Sequence, residues 1–171
     1  MFANGFCGGS KNFMIYKIVK EPEKVLRGKA KPLAYDELNT PALLKLVKDM
    51  IHTMYDAKGV GLAAPQIGID KQVIIVAPPD EEPMAIINPE IVKRSITTNP
   101  SEEGCLSVPG TWGFVRRANS LTVKGLTPEG KPFKLNAKGF TATIFQHECD
   151  HLNGVLFIDK AKDITKLGVV R

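Results

Sequence analysis

Two histidines on either side of a glutamate constrain this chain more than any other feature of its sequence. They lie in HECDH at residues 147–151, inside a stretch, residues 141–153, whose pattern predicts a helix. At about 100° per residue, His147 and His151 fall on one helix face one turn apart, so both imidazoles can reach one metal ion. Glu148 lies beside them and can take a proton from water without being a ligand. The alternative is an exposed amphipathic helix with two chance histidines.

An open hydrolytic metal site needs a third protein ligand and a position left for water. Asp, Glu, His or Cys could supply it. Cys149 lies about 200° round the helix from His147, which predicts a small core residue instead. Cys7 falls in an amino-terminal tail. Cys105 follows a glycine in EGCLSVP at residues 103–109, and we predict a thiolate ligand there, with a buried inert thiol as the alternative.

A second unusual segment, GVGLAAPQ at residues 59–66, precedes a predicted buried strand at 72–77. It lacks the lysine of a phosphate-binding loop and does not open a βαβ unit. One interpretation is a tight helix-to-strand turn. The other is a backbone edge that pairs with an extended peptide, where Gln66 offers an amide donor to a developing oxyanion.

The remaining pattern predicts an α+β fold in a single domain, with short, mainly antiparallel strands around one central helix. A first helix is predicted from Pro41 to Ala57, with Thr40 as its N-cap and Gly59 as its stop. Further strands are predicted at 15–19, 84–88, 90–92, 121–124 and 132–135, the last two joined by a TPEG turn. We expect residues 1–13 to be a flexible extension and 14–171 the catalytic domain.

The 23 basic and 18 acidic residues give a net charge of +5, and they are scattered along the chain. This is typical of a solvated, mildly basic surface; a surface that meets nucleic acid or the ribosome is the alternative. No run approaches the roughly 20 apolar residues that span a bilayer. The first residues lack the features of a secretory signal, so we expect a cytoplasmic protein, with an organelle as the alternative.

Three segments, GVGLAAPQ (59–66), EGCLS (103–107) and HECDH (147–151), resemble in this order the signature motifs of the peptide deformylases. VLRGKAKPL at 25–33 and INPE at 87–90 extend the resemblance, which covers roughly residues 14–163. It implies an α+β fold whose sheets wrap around the HExxH helix. It also implies a metal-dependent hydrolase that removes the N-formyl group from the starting methionine of newly synthesised polypeptides and releases formate.

The resemblance also implies roles for individual residues. The implied metal ligands are Cys105, His147 and His151. The implied catalytic groups are Glu148 as general acid and base, with the Gln66 amide and the backbone N–H of Leu106 as oxyanion donors. The implied substrate-binding residues are Val60, Gly61 and Gly104. The family's usual metal is Fe²⁺, and Zn²⁺, Ni²⁺ or Co²⁺ can replace it. Trp112 stands where some relatives carry a long basic residue that meets the substrate.

Two rival functions follow from weaker combinations of these features. A zinc endopeptidase is supported by HExxH alone, but it would expect a third His or Glu ligand downstream, and no His or Glu follows His151. A non-catalytic homologue that binds peptide or metal should have lost a ligand, Glu148 or Gln66, and this chain keeps them all.

The carboxyl-terminal tail, residues 159–171, carries a modest basic excess. It is long enough for at most about three helical turns, which are marginal in water without packing. We therefore predict weak, salt-sensitive ribosome association, and catalysis on short peptides that does not depend on residues 162–171.

Overall fold

Residues 13–166, which the computed structural model describes, form two α-helices and eight β-strands. The helices are α1 (Pro41–Asp56) and α2 (Gly139–Leu152). The strands are β1 (Gly61–Ala63), β2 (Val73–Val76), β3 (Met84–Arg94), β4 (Thr98–Cys105), β5 (Val108–Ala118), β6 (Ser120–Leu126), β7 (Pro132–Lys138) and β8 (Lys162–Lys166). Short 3-10 helices lie at Lys24–Arg27, Tyr35–Glu37, Ala64–Ile67 and Phe157–Asp159.

The strands make two antiparallel sheets. The first has the order β1-β2-β3-β6-β7 and the second the order β4-β5-β8. The predicted TPEG turn joins β6 to β7, with Leu126 paired to Pro132 at its base. The predicted α+β class is therefore confirmed. The two strands predicted at 84–92 form one strand, in which Asn88 takes a φ of 50° and the register with β6 shifts.

Helix α1 begins and ends for local reasons. Thr40 caps it by accepting a hydrogen bond from the Leu43 N–H at 3.2 Å, and Pro41 takes the first helical position. After the last turn, Lys58 adopts a φ of 57°. The sequence analysis placed the helix stop at Gly59, but the residue that takes the left-handed conformation after the helix is Lys58, one position earlier.

Strand β2 is buried on both faces because each face meets a helix. Ile74 and Val76 join the core around α2, whereas Val73 and Ile75 join the core around α1. All four residues are 0% exposed. The apolar VIIV sequence therefore reflects a central strand with two covered faces, as predicted.

Helix α2 packs against strands of both sheets and ties itself to the second one through Gln146. The Gln146 side chain accepts from the Ala118 N–H at 3.0 Å and donates to the Ala118 carbonyl at 3.1 Å. These two bonds fix the rotation of α2 relative to the end of β5. Because Gln146 directly precedes His147, these bonds also hold the part of α2 that carries the HExxH motif.

One sequence-based prediction is wrong, and the tail has a structure that the sequence analysis did not predict. Residues 15–19 form no strand, because their backbone bonds to other groups: the Tyr16 N–H donates to the Thr53 hydroxyl, and the Val19 N–H donates to the Gln66 carbonyl. The tail forms strand β8, paired with Thr111, Trp112 and Phe114 of β5, and makes no helical turns over residues 162–166. This pairing argues against the predicted dispensability of residues 162–171.

Two further expectations concern the ends of the chain. The flexible extension at residues 1–13, with Cys7, falls outside the described residues except for Phe13. Residues 167–171 also lie outside them. In the part of the chain that is described, neither helix has the length and apolar character needed to cross a membrane.

Candidate metal and catalytic site

A cleft of about 560 Å³ opens between α2, the residues around β1 and the β4–β5 hairpin. Its volume is in the range of small-molecule and peptide side-chain pockets. The cleft brings together eight of the nine predicted site residues: Val60, Gly61, Gln66, Gly104, Cys105, Leu106, His147 and Glu148. The ninth, His151, is only 1% exposed and lies behind the cleft wall.

Cys105, His147 and His151 converge at the back of the cleft. The Cys105 Sγ and His151 Nε2 atoms are 3.2 Å apart, and the Nε2 atoms of the two histidines are also 3.2 Å apart. All three ligand atoms lie within 4.8 Å of one another. Nitrogen and sulfur ligands on one tetrahedral metal are separated by roughly 3.3–3.6 Å. The two measured separations are therefore close to those of a single metal site.

The donor set suits a divalent transition metal. Thiolate and imidazole are the ligands that iron, zinc, nickel and cobalt accept in proteins. Burial and the neighbouring His147 lower the pKa of His151 well below its ordinary value, so this ring is neutral and has a lone pair for a metal. Burial opposes the charged form of His147, but hydrogen bonds with Cys105 and Glu103 outweigh it and raise its pKa to about 10, so a metal that binds this ring must displace a proton from it.

Behind the ligands lies a buried ion network that the sequence analysis did not identify. Glu103 Oε2 is 2.8 Å from Nδ1 of His147, which directs the other ring nitrogen toward the ligand cluster. Arg117 holds both Glu103 oxygens at 2.7 and 2.9 Å and also reaches Asp150 at 2.6 Å. Burial opposes ionisation of Glu103, but the bonds from Arg117 and His147 outweigh it and lower its pKa.

Glu148 lies in the cleft beside the ligand cluster. It is 3% exposed, and its Oε2 atom is buried without a hydrogen-bond partner among the described residues. Burial raises the pKa of its carboxyl to about 7. A carboxyl with that pKa and a free oxygen is suited to accept and return a proton near neutral pH.

Glycine at position 61 makes room for this carboxylate. A Cβ atom built on Gly61 would lie 2.2 Å from Glu148 Oε1 and 2.9 Å from Ile144 Cγ2. Contacts below 3.0 Å force atoms to move. The second glycine of GVGLAAPQ is therefore required by close packing against the Glu148 side chain.

Gln66 lies on the 3-10 helix after β1, and its amide points at the β4–β5 turn. Its Oε1 accepts from the Ala63 N–H at 2.8 Å, which leaves Nε2 directed toward Cys105 Sγ at 3.5 Å and Ser107 Oγ at 3.3 Å. Gln66 is 2% exposed. Its amide N–H groups and the Leu106 backbone lie at the same end of the cleft, where two donors can face one oxygen.

The open side of the cleft is apolar and aromatic. Val60, Trp112 and Phe140 line it and remain 46%, 45% and 51% exposed. The Trp112 ring covers Gly104 so closely that a Cβ there would lie 2.8 Å from its Cζ3 atom. Trp112 and Phe140 are cleft residues to which the sequence analysis gave no binding role.

Cys149, predicted to be a core residue, lies outside the site, and so does the third histidine, His52. Cys149 is 8% exposed in the core around α2, where burial raises the pKa of its thiol to about 12. His52 lies on the exposed side of α1, and its ring stacks on Phe13 with centroids 3.9 Å apart.

Comparisons with known proteins agree with this geometry. A sequence model described as polypeptide deformylase matches residues 15–167. The peptide deformylase of Halothermothrix orenii is 50% identical over 147 residues, 85% of this chain and 93% of the relative. That of Desulforudis audaxviator is 47% identical over 152 residues, 89% and 97% of the two chains. The Met-Ala-Ser-bound crystal structure of a class I type b peptide deformylase from Acinetobacter baumannii superposes with a TM-score of 0.84 at 42% identity, covering 86% of this chain and 98% of that one.

Proposed function

The chain belongs to the polypeptide deformylase family, whose members remove the formyl group from newly made polypeptides, and we propose that Cys105, His147 and His151 hold the divalent metal for this hydrolysis. The observation that carries the proposal is the convergence of these three ligand atoms within 4.8 Å. Glu148 stands beside them with one oxygen free. Neither a zinc endopeptidase nor a non-catalytic homologue accounts for family membership and an intact site together.

We propose Fe²⁺ as the metal in the cell. A thiolate and two imidazoles also accept Zn²⁺, Ni²⁺ and Co²⁺, so these ions can replace iron that is lost during purification in air. When bound, the ion supplies Lewis acidity, which makes hydroxide available from water near neutral pH. Anaerobic purification followed by elemental analysis tests this choice: iron should dominate, and predominant zinc with full activity would contradict it.

Glu148 moves the proton in this proposal. Its free Oε2 accepts a proton from water as oxygen attacks the formyl carbon. The same carboxyl then delivers that proton to the departing amine, and formate is released. A pKa near 7 serves both directions, because neither the protonated nor the ionised carboxyl is strongly favoured at neutral pH.

The Gln66 amide and the Leu106 N–H stabilise the oxyanion that forms on the formyl oxygen. Each donor of this kind typically contributes about 3–4 kcal/mol to the transition state. The Gln66 side-chain N–H is oriented before the substrate binds, because the side-chain oxygen Oε1 accepts a hydrogen bond from the Ala63 N–H at 2.8 Å. Less reorganisation is then needed during the reaction.

The substrate lies in the cleft as an extended chain. We propose that the backbones of Gly61 and Gly104 pair with it, and that the methionine side chain packs against Val60. The Acinetobacter baumannii structure is described as bound to Met-Ala-Ser, a methionine-first peptide. Formyl is the smallest acyl group, so a narrow cleft admits it and excludes larger acyl groups.

We propose that residues 14–171 are the catalytic domain and that the enzyme works in the cytoplasm on nascent chains. Contact with the ribosome is weak and depends on charge, since only Lys160, Lys162, Lys166 and Arg171 offset two aspartates in the tail. Co-sedimentation at two salt concentrations tests this. Binding that survives high salt would contradict it.

The function itself is tested by two assays on metal-loaded enzyme. The first measures formate and free amine released from formyl-Met-Ala, and the second measures cleavage of an internal peptide bond in an acetylated peptide. We expect equal amounts of formate and amine in the first and no product in the second. Internal cleavage without formate release would establish the endopeptidase instead, and neither product would establish a non-catalytic protein.

A further inference from the structure

The two oxyanion donors of the proposed reaction belong to different sheets. Gln66 follows β1 of the five-stranded sheet, whereas Leu106 lies in the turn between β4 and β5 of the three-stranded sheet. No strand pairing joins β1 to β4 in the described residues. The direct bonds between the two loops run through the Gln66 amide itself, at 3.3 and 3.5 Å. Another part of the chain must therefore fix their relative position.

The segment Val19–Glu21 bridges the two loops by backbone hydrogen bonds. The Val19 N–H donates to the Gln66 carbonyl at 2.8 Å, and the Glu21 N–H donates to the Ser107 carbonyl at 2.9 Å. Between them, the Lys20 ammonium donates to the Leu106 carbonyl. Val19 thus holds the loop that carries Gln66. Lys20 and Glu21 hold the turn that carries Leu106.

The bridging segment is itself anchored on both sides. Upstream, the Met14 N–H donates to the buried Asp49 carboxylate at 2.9 Å, and the Tyr16 N–H donates to Thr53 at 3.0 Å, which attaches the segment to α1. Downstream, Glu21 pairs with Arg27 at 2.9 Å. Displacement of Lys20 is therefore resisted from both directions.

We propose that Lys20 is a positioning residue for deformylation, which sets the Leu106 donor relative to the Gln66 donor. This rests on the function proposed above. Lys20 lines the cleft, and a charge-assisted bond to a carbonyl is roughly twice as strong as a neutral one. The Leu106 carbonyl and the Leu106 N–H flank the same residue, so fixing one restrains the other.

The expected effect is on kcat. Oxyanion donors act on the transition state more than on the bound substrate, so misplacing one lowers kcat and leaves KM and metal content unchanged. Loss of a whole donor costs about 10²–10³ in kcat. A displaced donor retains part of its effect, so Lys20→Met should lower kcat about tenfold.

Two variants serve as controls for this measurement. Lys20→Arg keeps the charge and the donors and should restore at least half of the activity. Lys17→Met removes another exposed lysine of the same stretch. Within residues 13–166 the Lys17 ammonium bonds to neither donor loop, so this variant should have the kcat of the wild type. Thermal unfolding and metal content are measured for each variant, and both should stay at wild-type values.

A double-mutant cycle separates positioning from a general structural role. In the Gln66→Ala protein one of the two oxyanion donors is already absent, so the position of the other relative to it no longer matters. Adding Lys20→Met to this protein should therefore lower kcat by less than about threefold. The proposal is overturned if Lys20→Met alone keeps kcat within twofold, if its effect is confined to KM or metal content, or if the full tenfold loss persists without Gln66. If the Lys17→Met protein deformylates formyl-Met-Ala, the proposed function holds whatever the result of the double-mutant cycle.

Discussion

Replacement of Gly61 by alanine should inactivate the enzyme while leaving it folded. The new Cβ would lie 2.2 Å from Glu148 Oε1, 2.8 Å from its Cδ and 2.9 Å from Ile144 Cγ2. An ordinary contact begins at 3.4 Å. The Glu148 carboxylate must therefore withdraw by about 1 Å, a displacement that can lower catalysis about a hundredfold.

Stability should respond differently from activity. Gly61 lies in strand β1, where its backbone is extended, and a glycine-to-alanine change at a compatible position usually stabilises by about 0.4–1 kcal/mol. The atom it meets first is the end of a flexible side chain. We therefore expect kcat for formyl-Met-Ala to fall about a hundredfold, or about 2.7 kcal/mol in activation free energy, with bound metal unchanged and little change in Tm.

Gly28→Ala is the matched control, because a Cβ at that site meets only the Val25 carbonyl oxygen, at 3.9 Å. It should keep wild-type kcat. Near-wild-type turnover of Gly61→Ala would show that Glu148 does not need its present position. An equal loss in Gly28→Ala would show that the effect is not local to the carboxylate.

Further predictions concern the same site. Glu148→Ala should abolish deformylation but retain metal, since Glu148 is not a ligand; turnover and metal content together check this, and retained turnover would refute its role. Cys105→Ser should lose or weaken metal binding by elemental analysis, whereas Cys149→Ser, in the core, should keep it; the reverse order would refute the ligand set. Arg117→Met removes the buried ion pair with Glu103, which keeps His147 as a partner, and should lower the free energy of unfolding in chemical denaturation by about 3–5 kcal/mol; a loss below about 1 kcal/mol, as for an exposed pair, would contradict this. In air, the iron form should lose activity faster than the nickel form, because ferrous iron and a thiolate are both oxidisable; equal half-lives would contradict this.

The parts of the fold that the sequence predicted are those governed by local chemistry. The cap at Thr40, the buried VIIV strand and the TPEG hairpin each depend on residues within a few positions of one another. Residues 15–19 look like a strand by composition, but they bond to Thr53 and Gln66, which are distant in sequence. No local pattern contains that information.

The candidate site shows the same division. The HExxH spacing and the unpaired Cys105 pointed to the three proposed ligands, whose atoms the structure brings within 4.8 Å of one another, but not to the ion network behind them. One signal was present: residues two apart on a regular strand share a face, which would put Glu103 on the side of Cys105, although the register of β4 with β5 shifts between Gly104 and Cys105. The Glu103 partners Arg117 and His147 come from β5 and from α2, and only the packing of α2 on the sheet brings them together.

The proposed ligand set also implies an order in which the enzyme matures. Cys105 is made well before His147 and His151, and the two histidines reach it only when α2 packs against both sheets. Chains are synthesised from the amino terminus, and domains fold as units. The Cys105 thiol of a nascent copy is therefore without its histidine neighbours, and open to oxidation, until residue 151 has been added and the helix has docked. Metal capture is one of the last steps of biosynthesis, and a chain interrupted before α2 cannot take part in it.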